Sequence, residues 1–325
     1  MKNLVIVAFV MSCIFTGAAQ TIEKYSIDSG GASATAGGIE ILYTIGEVFI
    51  AERSASGVSI SEGFINPEFK LQINAQVLLQ GPILNPVDTG LMNDDLRTVG
   101  DLPTTSPYED AATCDASVFN TTGNDAIVDW VWLSIRANND NQKQIQGRSA
   151  LLQRDGDIVD TDGVSDVTLN IPKNTYYIAI QHRNHLGAMS ANPVQFDDAS
   201  TVIIDFKNSG FSTFSTNAQV VLASGETALW AGDANGDKTI QFSGGNSDAN
   251  AVKDFILADP LNILNFITFS SSGYLSFDAD LNTLTRFSGS NNDSNIIKDN
   301  VLAFPGNILG FPTYTINSTV PPTTN

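Results

Sequence analysis

The chain's 325 residues suffice for two modest domains, or for one larger domain with an appendage, and a hydrophobic content of 42% supports a core. Its 35 acidic against 16 basic residues give a net charge of −19. That surplus repels phosphate backbones and anionic headgroups, which argues against nucleic acid and membrane-surface partners, and it suits divalent cations wherever the acids cluster.

Lys2, the apolar run from Leu4 to Phe15, and the small residues Gly17, Ala18 and Ala19 have the layout of a secretory signal peptide over residues 1–19. Cleavage is expected after Ala19. The run is shorter than the ~20 residues of a spanning helix, and no other stretch qualifies, so no membrane span is expected after cleavage. Cys13 raises lipidation as an alternative, but Val10-Met11-Ser12 is a poor lipobox and Ile14-Phe15 prolong the apolar run. With the signal removed, Cys114 is the single cysteine and no intrachain disulfide can form. It reads as a buried or incidental thiol. Stability after export then rests on packing and metal.

Downstream, segments of alternating β-branched and aromatic residues recur between Gly, Asn, Asp and Ser, a mainly β pattern. Residues 20–68 form a short β module, with strands expected at Ile39 to Ile50 and Val58 to Phe64, joined by a turn from Glu52 to Gly57. Residues 69–222 carry strands at Leu71 to Leu79, Ala126 to Ile135, Ser149 to Arg154, Asp166 to Ile171, Tyr176 to Arg183 and Thr201 to Phe206. This spacing suggests a β-sandwich of immunoglobulin-like or prealbumin-like shape. Trp130 and Trp132 alternate with Val131 and Leu133, so the strand is either an aromatic platform for sugars or, the favoured reading, packed on both faces. Residues 223–312 turn α-rich, with apolar positions at helical spacing (Val252, Phe255, Ile256; Ile296, Ile297, Val301), each set behind an acidic loop. Residues 313–325 are expected to be a disordered tail.

The third module repeats itself at a constant offset of 45, the separation of Asp233 and Asp278. Asp233-Ala234-Asn235-Gly236-Asp237 aligns with Asp278-Ala279-Asp280-Leu281-Asn282, Phe242-Ser243-Gly244 with Phe287-Ser288-Gly289, and Asp248 with Asp293. Ca2+ takes six to eight oxygen ligands at about 2.3–2.6 Å, and alternate residues of a tight loop turn their oxygens to one point. The expected ligands are Asp233, Asn235, Asp237, the carbonyl of Thr239, and Asp248 in the first loop. In the second they are Asp278, Asp280, Asn282, the carbonyl of Leu284, and Asp293. Asp248 and Asp293 are also placed to cap the helices that follow. The loops depart from an EF-hand: Lys238 and Thr283 stand at the glycine position, and four residues are inserted before the closing acid. Asn282 in place of Asp237 removes one charge, predicting weaker binding by the second loop.

These paired loop-plus-helix repeats resemble a type I dockerin. The Phe-Ser-Gly insertion is similar to C-terminal modules of exported, hemagglutinin-like Bacteroidetes surface proteins. The resemblance extends to Gly90-Leu91-Met92-Asn93-Asp94-Asp95-Leu96-Arg97, Arg148 to Asp157, His182-Arg183-Asn184-His185-Leu186-Gly187 and Ala228-Leu229-Trp230-Ala231-Gly232. It implies a secreted or cell-surface protein ending in a dockerin-like, calcium-binding module.

Other candidates are weaker. The acids from Asp155 to Asp162 suit either another calcium site or a solvated β-turn. His182 and His185 read as a hydrogen-bonded corner rather than a zinc site, and no nucleophile elbow, zincin motif or phosphate loop occurs. The expectation is a secreted or cell-surface, non-catalytic, calcium-binding adhesion protein with a protein or glycan partner. The alternatives are a scaffold component docking to a cohesin-like partner, or an accessory module in polysaccharide degradation.

Overall fold

The computed structural model describes residues 30–36, 39–45, 51–55, 58–62, 70–197 and 201–324, with side chains in the last two segments. The expected signal peptide, residues 1–19, lies outside the described residues. The chain divides into two units, Met1–Glu68 and Phe69–Asn325.

Among its described residues the first unit holds two antiparallel strand pairs. β1 (Gly30–Ala36) pairs with β2 (Ile39–Ile45), and β3 (Ala51–Ala55) pairs with β4 (Val58–Glu62). This corrects the expected single hairpin. Glu52, Arg53 and Ser54 belong to a strand, because only two residues separate the paired Ala55 and Val58, the length of the tightest hairpin connection.

The second unit is mainly β and mostly antiparallel. Nine strands join one hydrogen-bonded sheet: β5 (Leu71–Gln76), β7 (Ile127–Ala137), β8 (Asp140–Gln153), β9 (Asp157–Val159), β10 (Val167–Leu169), β11 (Asn174–Gln181), β12 (Ala188–Met189), β13 (Val194–Phe196) and β14 (Val202–Asp205). The order runs β10-β5-β9-β8-β7-β11-β12, with β13 also on β11 and β14 parallel to β5. A second sheet orders β15 (Gln219–Val221), β16 (Thr227–Leu229) and β6 (Leu78–Leu79). Between β6 and β7 run two short helices, α1 (Gln80–Ile83) and α2 (Asp95–Val99).

Every residue of β7 is buried. Trp130 donates its indole N–H to the carbonyl of Pro103 at 2.8 Å, and Trp132 lies against Gly147 of β8, where a Cβ would meet its ring at 2.1 Å. These tryptophans are core, not an open platform. Fully burying side chains of this size stabilises by about 2–3 kcal/mol each.

Two expected boundaries need correction. A break at residue 222 would cut the β15–β16 hairpin, in which Val221 faces Thr227. Of the expected tail, residues 313–325, the described part 313–324 is not loose. β20 (Thr315–Asn317) pairs with β17 (Thr239–Gln241), Val320 is buried, and Arg136 donates to the carbonyl of Pro321 at 2.7 Å. The isoleucine of β20, Ile316, supplies apolar area that the polar sequence around it conceals.

The repeat runs further than the acid loops. Asn262-Ile263-Leu264 recurs as Asn307-Ile308-Leu309, and Phe266 as Phe311, at the same offset. Each repeat contains a loop, a strand (β17 or β19, Leu284–Arg286), a helix (α3, Asp248–Ala258, or α4, Asp293–Ala303) and a closing strand (β18, Ser270–Ser272, or β20). The closing strands are exchanged: β18 pairs with β19 of the second repeat, and β20 with β17 of the first. The two repeats interlock. Ile240, Val252, Ile297, Val301 and Ile316 fill their shared core with Trp230 and Leu186.

Candidate metal centre

Each acid loop is shaped by backbone twists at matching positions. Gly236 and Lys238 have φ of 75° and 68°, and their repeat mates Leu281 and Thr283 have 57° and 75°. The left-handed turn forms at Lys238 and Thr283 although neither is glycine. The Asp233 carboxylate accepts the N–H of Lys238 at 3.1 Å, and that of Asp278 accepts the N–H of Thr283 at 2.7 Å, holding those turns.

The closing acids reach back across their loops. Asp248 accepts the N–H groups of Ala234 (2.9 Å), Asn235 (3.2 Å) and Gln241 (2.8 Å). Asp293 accepts those of Ala279 (2.6 Å) and Arg286 (2.7 Å). Neither is the helix cap expected of it. Ser247 and Asn292 cap α3 and α4, accepting the N–H of Asn250 and Asn295, while the acids occupy the first helical position. There the positive end of the helix dipole favours negative charge.

The second loop gathers its acids most closely. One carboxylate oxygen from each of Asp278, Asp280 and Asp293 lies within 4.8 Å of the others, and among the described residues no other group of three acidic, histidine or cysteine side chains does so. The first loop pairs Asp233 with Asp248, while Asp237 is exposed and accepts from the backbone and hydroxyl of Thr239. The amides of Asn235 and Asn282 accept from the N–H of Asp237 and Leu284 at 2.9 Å. Thr239 opens β17 and Leu284 opens β19. Thus each loop carries three acids, but the second holds the tighter cluster, because Asp280 replaces Asn235 while Asn282 replaces the exposed Asp237.

This crowding is costly for carboxylates. Burial, then Asp280, pushes the Asp293 carboxyl up to about 8. Burial, then Asp293 and Asp280, pushes that of Asp278 well above its usual range. In the first loop burial, then Asp248 and Asp237, raises Asp233 to about 7, and burial raises Asp248 to about 6 against its three N–H donors. One oxygen in each loop, on Asp233 and on Asp280, is buried with no hydrogen-bond partner among the described residues. An all-oxygen donor set with orphaned buried carboxylate oxygens fits a hard divalent cation better than zinc, which prefers nitrogen and sulfur.

Sequence reasoning missed what holds the loops. Asp129 of β7 accepts from Arg183 at 3.0 Å and from the Tyr274 hydroxyl at 2.6 Å, and its other contact is His182 at 3.1 Å. Burial would raise Asp129, but Arg183, His182 and Tyr274 outweigh it and hold the carboxyl well below the usual range. Arg183 lies over the Tyr274 ring, 4.1 Å from its centroid, and donates to the carbonyl of Leu275, three residues before Asp278. His182 and His185 sit 3.1 Å apart as a buried corner. The only signal was five adjacent polar residues, Gln181 to His185, at the end of a hydrophobic strand.

The other candidates disperse. In the Asp155 to Asp162 stretch, Asp160 pairs with Arg148 at 2.5 Å and Asp162 accepts the N–H groups of Val164 and Ser165, so these acids are used in local turns. Cys114 is half-buried, and burial raises its thiol pKa, which disfavours the nucleophilic thiolate.

No protein-family model matches the chain, and neither the curated proteins nor the solved structures contain a match.

Proposed function

We propose that this is an exported, non-catalytic binding protein in which calcium in the two acid loops organises the C-terminal, dockerin-like repeat pair against an immunoglobulin-like or prealbumin-like sandwich. The single observation that carries the reading is the approach of the Asp278, Asp280 and Asp293 carboxylates to within 4.8 Å. Three acids that close, two buried and one half-buried, repel one another strongly unless a cation or protons intervene. A calcium ion bridging them would satisfy the orphaned oxygen of Asp280, and the second loop is assigned the stronger site. Adhesion to a protein or glycan at the cell surface is the role such a module suits. The resemblance to exported Bacteroidetes surface proteins, together with the expected signal peptide, supports that location. Docking to a partner protein, as dockerins dock to cohesins, is the second reading, and a cavity beside the first loop, lined by Ala234, Asn235, Phe255 and Phe277 and open among the described residues, favours it.

Calorimetric titration of the full chain with calcium tests this. The stronger binding event should vanish in Asp280→Asn and persist in Asp237→Asn. Absence of binding heat in the unmodified protein, or loss of the stronger event in Asp237→Asn alone, would sink the assignment.

A further inference from the structure

The two repeats match in sequence and fold, yet their surroundings differ at one equivalent place. In the second repeat the turn at α1 is lodged between the acid loop and α4. Gly81 lies so close that a Cβ there would meet the carbonyl oxygen of Ala279 at 2.0 Å and the Cα of Asp280 at 2.9 Å. The Gln80 amide exchanges hydrogen bonds with Asn300 of α4 at 2.7 and 2.8 Å and accepts the N–H of Ala231 at 3.0 Å. A glycine for close approach and one anchoring side chain therefore fill this socket.

Shifted back by the repeat offset, Ala279, Asp280, Asn300 become Ala234, Asn235, Phe255, and Ala231 shifted forward becomes Ser276. All four line one cavity of about 530 Å³, open among the described residues. The first repeat thus retains the socket that the second fills from within the chain. Its chemistry has changed in one respect. Where Asn300 binds Gln80, Phe255 stacks on Phe277 with ring centroids 4.4 Å apart, giving an apolar floor. At the rim stands Asp254, its side chain 73% exposed and in loose contact with Lys253 at 3.7 Å, on a chain of net charge −19.

We propose that this open socket docks a short turn of a partner protein, with a small residue against the Ala234–Asn235 backbone, an apolar group on Phe255 and Phe277, and a basic side chain facing Asp254. The occupant's class follows from the segment seated in the equivalent socket, and its charge from complementarity to the rim. A cavity of this size is ample for such a turn. This deepens the binding-protein reading and rests on it, but not on the metal assignment.

The test uses the full chain in calcium, with a six-residue peptide copying residues 79–84 but carrying lysine in place of Gln80. Its binding is followed by chemical-shift changes in the protein. Saturable shifts at Asp254, Phe255 and Phe277 are expected. Asp254→Lys should weaken binding at least tenfold, and Ala251→Trp, which fills the cavity from its half-buried place on α3, should abolish it with the melting temperature retained. The proposal is overturned by no saturable shift at about 1 mM peptide, by shifts confined to the second repeat, or by binding that both variants leave unchanged. If the calcium titration succeeds and the peptide fails, the socket assignment alone falls.

Discussion

The side-chain amide of Asn184 donates to the backbone carbonyl of Asp278 at 2.6 Å, tying the bend that follows β11 to the first residue of the second acid loop. The same amide reaches the carbonyl of Ser276 at 3.2 Å, while the backbone carbonyl of Asn184 accepts the N–H of Asp233 at 3.1 Å. One fully buried residue therefore grips the start of both loops. Asn184→Ala should cost about 1–3 kcal/mol, since it leaves buried carbonyls unpaired, and should weaken the stronger calcium event. Thermal denaturation and calorimetry measure the two effects. An unchanged calcium isotherm would show that the grip does not set loop geometry.

The left-handed turns at Lys238 and Thr283 are held at positions where glycine fits without steric cost. Thr283 is β-branched, for which positive φ is least tolerated. Thr283→Gly should stabilise the chain by about 1 kcal/mol, and Lys238→Gly by less, both read from urea denaturation midpoints in calcium.

The pH dependence of stability should change sense when calcium is removed. Burial lowers the pKa of His182 against the pull of Asp129. Burial, then His182 and Arg183, lowers that of His185 further. Both stay neutral when folded, so stability is lost as pH falls below the unfolded value of ~6.5 and the unfolded chain takes up protons. The loop carboxyls act oppositely. Asp248, Asp233 and Asp293, raised to about 6, about 7 and about 8, stabilise when protonated, and that contribution is lost as pH rises through those values. Melting temperature should rise from pH 5 to 7 in calcium, where the ion replaces the protons, and should fall from pH 6 to 8 in EGTA. Parallel profiles in the two buffers would count against bound cation.

Asn262 and Asn307, at equivalent places in the repeats, each donate twice and accept once. Asn307 donates to the carbonyls of Val301 (2.7 Å) and Phe311 (2.9 Å) and accepts the N–H of Phe311. Asn262 does the same with Ile256 and Phe266. These contacts hold loops whose apolar side chains face solvent, with Ile263 84% and Ile308 90% exposed. Asn307→Ala should cost about 2 kcal/mol and speed hydrogen exchange at the Phe311 amide while leaving that of Phe266 protected.

Much of this arrangement was legible in residue order, because the relevant physics is local. Oxygen-bearing residues at alternate positions around Asp233 and Asp278, a closing acid at the start of each helix and the 45-residue offset mark two equivalent loops. The near-continuous apolar run from Ile127 to Ile135, with bulk at both alternating sets of positions, likewise marks a strand buried on both faces. What residue order left open are partnerships across long separations. Nothing local says that the closing strand of one repeat pairs with the other, that Ile316 makes the last residues part of the core, or that Asp129 and Asn184 anchor loops some ninety or more residues away. Nor does it say that Gln80 and Gly81 fill one of two matching sockets. Local spacing fixes where oxygens can converge, but which buried polar groups find partners is decided only when distant segments meet and leave water together.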